Sequence, residues 1–173
     1  MDIEAAIASL RVVRAFQDRP LDPGQLEAIL NAGRRASSSK NQQRWGFVAV
    51  TERERLRALA AVGPYAGHIA GAAAAVAMVT PDAHETGPST SIFWDLGLAS
   101  QNMVLTAWSL GIGSCPATVY DPDLARTLLG YPTDQVCPFL LSFGYPSDPS
   151  DLTRPLRAGG RRAFGDVVHR ERW

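Results

Sequence analysis

Lysine is almost absent from this chain: Lys40 is the only one, and every other permanently basic side chain is an arginine. Basic and acidic residues number 17 each, so the formal net charge is zero. A chain without a net field lacks the long-range pull that draws proteins to nucleic acid or anionic membrane, so any anion site must be local. Long apolar runs are missing too. The most apolar stretch, 69–79, falls well short of the about 20 residues that cross a bilayer, and its alanines and valines suit a buried strand or a packed helix. The opening Met-Asp-Ile-Glu-Ala-Ala has no basic region followed by an apolar one, which reads against a secretory leader and for a cytoplasmic protein. Cysteine is scarce. Cys115 and Cys137 lack metal-ligand spacing, so two free, buried thiols are expected, with a redox dithiol as the alternative. His68, His84 and His169 are too scattered to suggest a metal site. No internal repeat or low-complexity linker interrupts the 173 residues, and one domain, 1–173, is the simplest organisation.

What the chain does have is concentrated. From Arg35 to Trp45 the sequence reads Arg-Ala-Ser-Ser-Ser-Lys-Asn-Gln-Gln-Arg-Trp. Ser37, Ser38, Ser39, Asn41 and Gln43 are short hydrogen-bonding side chains beside a helix end, where backbone N–H and C=O groups are free to meet a ligand. An ordinary Ser/Asn-rich helix-to-strand connection is the alternative. Arg11 and Arg14 stand three residues apart ahead of Phe16, and Gly159-Gly160-Arg161-Arg162 repeats the pairing of loose backbone with guanidinium near the C-terminus. Forked donors that keep their charge match phosphate oxygens, so such pairs suit a phosphate. Solvated surface arginines are the competing reading.

Periodicity predicts helices over 3–10, 22–36 (with Asp22 as cap and Pro23 in the first turn), 52–61 and 92–110, and another opening at Asp121-Pro122-Asp123. Strands are predicted over 45–51, 74–80 and 138–144, with 114–119 a short extended segment and 81–91 a polar loop. The run from Ile92 to Leu110 is apolar around most of its circumference, which places it centrally or at a subunit interface.

Five segments together resemble the nitroreductase family, flavin-dependent NAD(P)H oxidoreductases that carry FMN. They are Arg14-Ala15-Phe16, the run from Ala36 to Trp45, Asp95-Leu96-Gly97-Leu98-Ala99-Ser100-Gln101-Asn102-Met103, Gly111-Ile112-Gly113-Ser114 and Gly160-Arg161-Arg162. Each is weak alone; their order and spacing over almost the whole chain make the likeness specific. The resemblance implies an α+β, three-layer α/β/α fold with a central, mostly antiparallel sheet flanked by helices, and an intertwined homodimer. It implies FMN as cofactor, held at its phosphate by Arg11, Arg14 and Arg161, with Val12 and Arg162 beside them. Ser38, Ser39 and Asn41 match positions that reach the cofactor across the dimer interface, so each site would need both chains, and Ser37 beside them is counted with the cofactor-binding residues. The segment Pro116, Ala117, Thr118 and Val119 would line the isoalloxazine, the backbone N–H of Thr118 or Val119 donating to flavin N5. No side chain is expected to act as nucleophile or acid. The implied chemistry is ping-pong: NADH or NADPH delivers hydride to N5, leaves, and a nitroaromatic, quinone or similar electrophile is reduced in its place.

Departures from the family pattern open further questions. Ser37 and Arg44 stand where prolines are usual, and Leu10 and Val12 where many members have an arginine and a serine. Arg44 is a candidate for a substrate carboxylate or phosphate, or else a surface arginine. Tyr65 to His68 occupy the region where members often place an asparagine and a lysine against the flavin pyrimidine; His68 is a candidate replacement donor, or else a structural histidine. Tyr65 and Phe93 are candidates to stack on substrate, under a shorter roof than in larger members. The C-terminus, with Gly165 to His169 and Trp173, would reach over the partner chain, a frayed tail being the alternative. Two other functions stay open: a flavin-binding or regulatory protein of the same fold with little turnover, or a specialised flavin dehydrogenase. A non-flavin anion-binding protein is disfavoured by the zero net charge.

Overall fold

The computed structural model describes residues 2–82, 90–155 and 160–173. His84, most of the 81–91 loop and Gly159 lie outside them. Five α-helices and four strands follow in the order α1 (Ile3–Ser9), α2 (Gln25–Arg34), β1 (Gly46–Val50), α3 (Arg53–Leu59), β2 (Ala74–Pro81), α4 (Ser91–Ser109), β3 (Gly113–Thr118), α5 (Pro122–Leu129) and β4 (Gln135–Gly144). All strand pairs are antiparallel, in the order β1-β2-β4-β3.

The layers follow from the alternation of side chains along β2. Its Ala75, Ala77 and Val79 point to one face, where Leu56 and Leu59 of α3 and Ala125 of α5 close over them. Val76 and Met78 point to the other, against Ile29 of α2 and Leu96, Ala99 and Met103 of α4. A strand covered on both faces needs apolar residues at every position, which explains the unbroken apolar run. Small residues set the spacing of the helical layer as well. A Cβ on Gly33 would fall 2.9 Å from the Cγ of fully buried Met103, so α2 and α4 approach closely only because position 33 has none. A third cluster ties Ala6 of α1 and Val13 to Trp108, whose indole N–H donates to the Ser9 hydroxyl at 2.9 Å. Among the described residues, no helix is long and apolar enough to cross a membrane.

Three boundaries differ from the sequence reading. Helix α2 begins at Gln25 behind Gly24, which sits at φ 82° and serves as N-cap. Asp22 does not cap it, because its carboxylate pairs with Arg19 at 2.9 Å. The 138–144 strand extends back to Gln135, with Pro138 inside it: the β2–β4 register shifts between Met78 and Thr80, a bulge that accommodates a residue with no N–H to give. The short extended segment is a full edge strand, β3, paired with β4 from Gly113 to Thr118.

Candidate functional site

The outer edge of β3 is where residues of four of the five motif segments meet, the run from Ala36 to Trp45 being the exception. The chain after α1 runs alongside it: Val12 bridges Ser114 in parallel, and the Val13 amide donates to the Ser114 carbonyl at 2.9 Å. Two glycines make this possible. A Cβ on Gly113 would stand 2.6 Å from Val13 Cβ, and one on Gly144 2.8 Å from the Phe16 ring. The Gly-Ile-Gly-Ser motif thus acts here through the space it leaves for the Arg11–Phe16 segment. Arg11, half-buried, donates through Nη2 to the Arg154 carbonyl, while its buried Nε finds no hydrogen-bond partner among the described residues. Burying such a donor is costly unless something answers it.

Three hollows open around the exposed side chain of Pro116. The first, about 390 Å³, holds Arg11, Val12, Ser114 and Arg161, with Gln101 and Val104 of α4 opposite. It is cationic at one end. The second, about 380 Å³, is almost wholly apolar and is lined by Met78, Phe93, Leu96, Phe139 and Leu141. The third, about 420 Å³, is lined by Arg14, Pro64, Tyr65, Gly67 and His68. Pro116 lines all three, so cationic, apolar and polar compartments share one rim. The stripe Phe93, Gly97, Ser100, Gln101 and Val104 brings one side of α4 to the first two hollows. A larger hollow of about 830 Å³, between α2 and Gln43, Trp45 and Phe47, contains none of these arginines and borders the end of the Ser-Asn motif, away from β3.

Strand alternation sorts the 116–119 segment. Ala117 is buried in the core on the opposite face, and Val119 packs against that same core. The Val119 amide donates to the Pro138 carbonyl at 3.0 Å, closing the ladder with β4. Thr118, in the alternate register, is exposed and turns its N–H away from β4 toward the open edge. Of the two amides considered as N5 donors, Val119 is engaged within the sheet and Thr118 is the one that faces outward.

In the third hollow, His68 Nδ1 lies 2.8 Å from the hydroxyl of Ser142, itself fully buried and 3.3 Å from the Cys115 carbonyl it donates to. The other ring nitrogen, Nε2, is buried with no partner among the described residues. Burial lowers the His68 pKa below its ordinary 6.5, and the positive charge of Arg14 lowers it further, against a contact with the Pro116 carbonyl that raises it. A second cation beside Arg14 is thereby disfavoured. Tyr65 stands at the mouth, 74% exposed and edge-on to Tyr120. Cys115 and Cys137 are free and buried, and burial pushes the Cys137 thiol up to about 12.

The Ser-Asn motif lies elsewhere. Ser37 and Asn41 are exposed, Ser38 and Ser39 half-buried, and none of them lines the three hollows of its own chain. The turn is tightly built: Ser38 Oγ accepts from the Gln43 amide at 3.0 Å, and the Gln43 side chain donates to Asn41 Oδ1 at 2.9 Å. Lys40, Asn41 and Gln43 all hold φ between 50° and 54°, a left-handed conformation that side-chain-bearing residues adopt only when their surroundings enforce it. Arg44 sits at the start of α4, its Nη2 donating to Ser91 Oγ at 3.0 Å. Arg162 is turned away from the cationic hollow, its guanidinium donating to the Asp166 carbonyl at 2.6 Å. The described tail is exposed, Phe164 to 71% and Trp173 to 99%.

The structure therefore gathers Arg11, Val12, Pro116 and Arg161 at one hollow, Arg14, Tyr65 and His68 at another, and Phe93 at the third. It does not bring Ser37, Ser38, Ser39 or Asn41 to them within one chain. Sequence reasoning had missed Ser142, Ser114 and Gln101. Ser114 and Gln101 stood inside quoted motifs, whereas a lone strand serine gives no signal until β4 places it behind His68. Among the described residues no group of three or more His, Cys, Asp or Glu is placed to hold a metal ion.

The chain belongs to the nitroreductase family, whose pattern it matches over residues 7–66 and 63–145. It is 31% identical over 171 residues to an Archaeoglobus fulgidus protein provisionally named NADH dehydrogenase/NAD(P)H nitroreductase, covering 96% of each chain. It is 28% identical over 173 residues to a Vibrio harveyi NADPH-flavin oxidoreductase, covering 90% of this chain and 70% of that one. A solved structure from Parabacteroides distasonis, provisionally named NADH dehydrogenase/NAD(P)H nitroreductase, superposes with a TM-score of 0.84 at 25% identity, covering 99% of this chain and all of the other.

Proposed function

We propose that this protein is an FMN-dependent oxidoreductase, one domain over residues 1–173, that takes reducing equivalents from NADH or NADPH and passes them in a ping-pong cycle to nitroaromatic, quinone or similar electrophilic acceptors in the cytoplasm. The observation that carries the reading is the set of three hollows around Pro116. Their characters match the parts of FMN: a doubly charged phosphate, an apolar dimethylbenzene edge and a polar pyrimidine edge. Arg11, whose buried Nε awaits an acceptor, and Arg161 across the same hollow would hold the phosphate. Arg14, expected at the phosphate, lines the third hollow apart from Arg11 and Arg161, so with His68 it would face the pyrimidine, and Phe93 with Phe139 would face the apolar end. The name of the Vibrio harveyi relative, a NADPH-flavin oxidoreductase, supports both cofactor and reductant.

When bound, FMN supplies a two-electron carrier that accepts hydride from a nicotinamide and yields electrons to an acceptor. The protein's own groups bind and orient. The outward Thr118 amide, which lines none of the three hollows of its own chain, would serve as a fixed dipole for negative charge developing on the flavin, and its place in an edge strand means that it need not reorganise during reaction. Tyr65 and Phe93 border the space left for a flat substrate, and Pro64 with Tyr65 would limit water entry. Arg44 remains a candidate contact for an anionic substituent on the acceptor.

The assembly proposed is a homodimer in which Ser38, Ser39 and Asn41 of each chain complete the partner's site. Their separation from the hollows of their own chain supports it, as do the exposed tail aromatics.

An absorbance spectrum of the purified protein tests the proposal. Visible flavin absorbance is expected, with anaerobic loss on adding NADH or NADPH and recovery on adding a nitroarene or quinone. Absorbance that never changes would favour a flavin-binding protein with little turnover. A folded, colourless protein that takes up no added FMN would overturn the reading.

A further inference from the structure

Asp95 is an acid placed where acids are rarely found. It lies in α4 with 3% of its surface exposed, flanked by Ile92, Leu96 and Ala99 of the same buried face. Among the described residues it forms no ion pair. Its donor among the described residues is a single backbone amide, that of Ser39, which lies 3.1 Å from each carboxylate oxygen across a sequence separation of 56 residues. A buried carboxyl group given over to one amide needs an explanation beyond packing.

The explanation lies in what Ser39 begins. The next residues include the left-handed Lys40, Asn41 and Gln43. Four further bonds of this turn, Asn41 N to Ser38 O, Gln42 N to Ser39 O, and the Gln43 bonds to Ser38 and Asn41, are internal to it. Such bonds shape the turn without fixing it to the protein. Asp95 fixes its first half to α4, while Thr80, donating to the Arg44 carbonyl at 2.7 Å, fixes its end to β2. The helix that holds it also lines two of the three hollows.

We propose that Asp95 is the positioning residue of the Ser38–Asn41 cofactor loop, its carboxylate holding the Ser39 amide so that the strained turn stands in its binding form before FMN arrives. The inference rests on the proposed FMN function and on the loop's part in it. Preorganisation of this kind appears as affinity, because a loop already ordered does not have to be ordered by the ligand.

The test is FMN binding to apoprotein, read by quenching of FMN fluorescence, with thermal unfolding of each apoprotein recorded alongside. Asp95→Ala should weaken FMN binding by about tenfold to a hundredfold, the range for losing a hydrogen bond to a charged group. Asp95→Asn, which keeps an oxygen to accept from Ser39, should recover most of that loss. A second route leaves Asp95 in place: Ser38 is extended at φ −142° and ψ 155°, a conformation that tolerates a following proline. Ser39→Pro removes the amide hydrogen and the hydroxyl, whereas Ser39→Ala removes the hydroxyl alone. The proline variant should bind FMN about tenfold more weakly than the alanine variant. Wild-type affinity in Asp95→Ala, equal losses in Asp95→Ala and Asp95→Asn, or equal affinities in the two Ser39 variants would overturn the proposal. Folded wild-type apoprotein that takes up no FMN would instead sink the functional reading beneath it.

Discussion

Arginines of the same type have different roles here, decided by what surrounds each. Arg11 and Arg161 share a hollow, Arg14 lies beside His68, and Arg162 is committed to the Asp166 carbonyl. Arg11→Ala and Arg161→Ala should each weaken FMN binding by about tenfold or more, as loss of a charged hydrogen bond does, and Arg162→Ala should leave it nearly unchanged; fluorescence titration of apoprotein would show the contrast. His68 supplies a second residue-scale expectation. Its pKa is lowered in the folded protein by burial and by Arg14, so the unfolded chain binds a proton more readily. Its contribution to stability is therefore fully present above the unfolded value of 6.5 and is lost as pH falls through 6.5 toward the lower folded value. Urea unfolding at pH 7.5 and 5.5 should show a smaller acid loss in His68→Gln than in wild type; equal losses would remove His68 as the cause.

At the scale of elements, the site depends on how closely the Arg11–Phe16 segment can approach β3. Val13 is β-branched and buried, so it cannot swing away from a new Cβ on Gly113, which would meet its Cβ at 2.6 Å. Gly113→Ala should cost about 1–3 kcal/mol through overpacking, lower the melting temperature, and weaken FMN binding because Arg11 moves with the segment. A Gly24→Ala change meets no atom within 4 Å and would be strained only through its positive φ; it should leave FMN affinity unaltered at whatever stability it retains. Much at this scale was legible beforehand. The unbroken apolar run of β2 and the largely apolar circumference of α4 are properties of the residues themselves, so those elements emerged close to their observed bounds. The start of α2 did not, because Arg19 competes for the Asp22 carboxylate, and the start of β4 did not, because a bulge lets Pro138 sit inside a strand.

For the molecule as a whole, the proposed function makes the site of a single chain incomplete. The Ser38–Asn41 turn lines none of the cationic, apolar and polar hollows, and the tail ends in Trp173, which meets the His169 ring of the same tail at 4.2 Å and is otherwise almost fully exposed among the described residues. A tail of this kind gains stability only by covering apolar surface elsewhere, and a second copy is the proposed recipient. Sedimentation or light scattering should give twice the 18.6 kDa of one chain. Removing residues 163–173 should shift that toward the monomer and weaken FMN binding in parallel. A truncated protein that stays dimeric and binds FMN normally would assign the tail no part in assembly.

By itself the sequence determined the alternation of elements, the family and the motif residues that cluster near β3, because periodicity and motif spacing are local properties. Tertiary structure decided which of those residues share a hollow. It separated Arg161 from Arg162 and Thr118 from Val119, set buried Ser142 behind His68, and joined Asp95 to Ser39 across 56 residues. The physical reason is the same in each case: whether a polar group is free for a ligand depends on which distant backbone group has already claimed it, and only the folded chain brings those claims together.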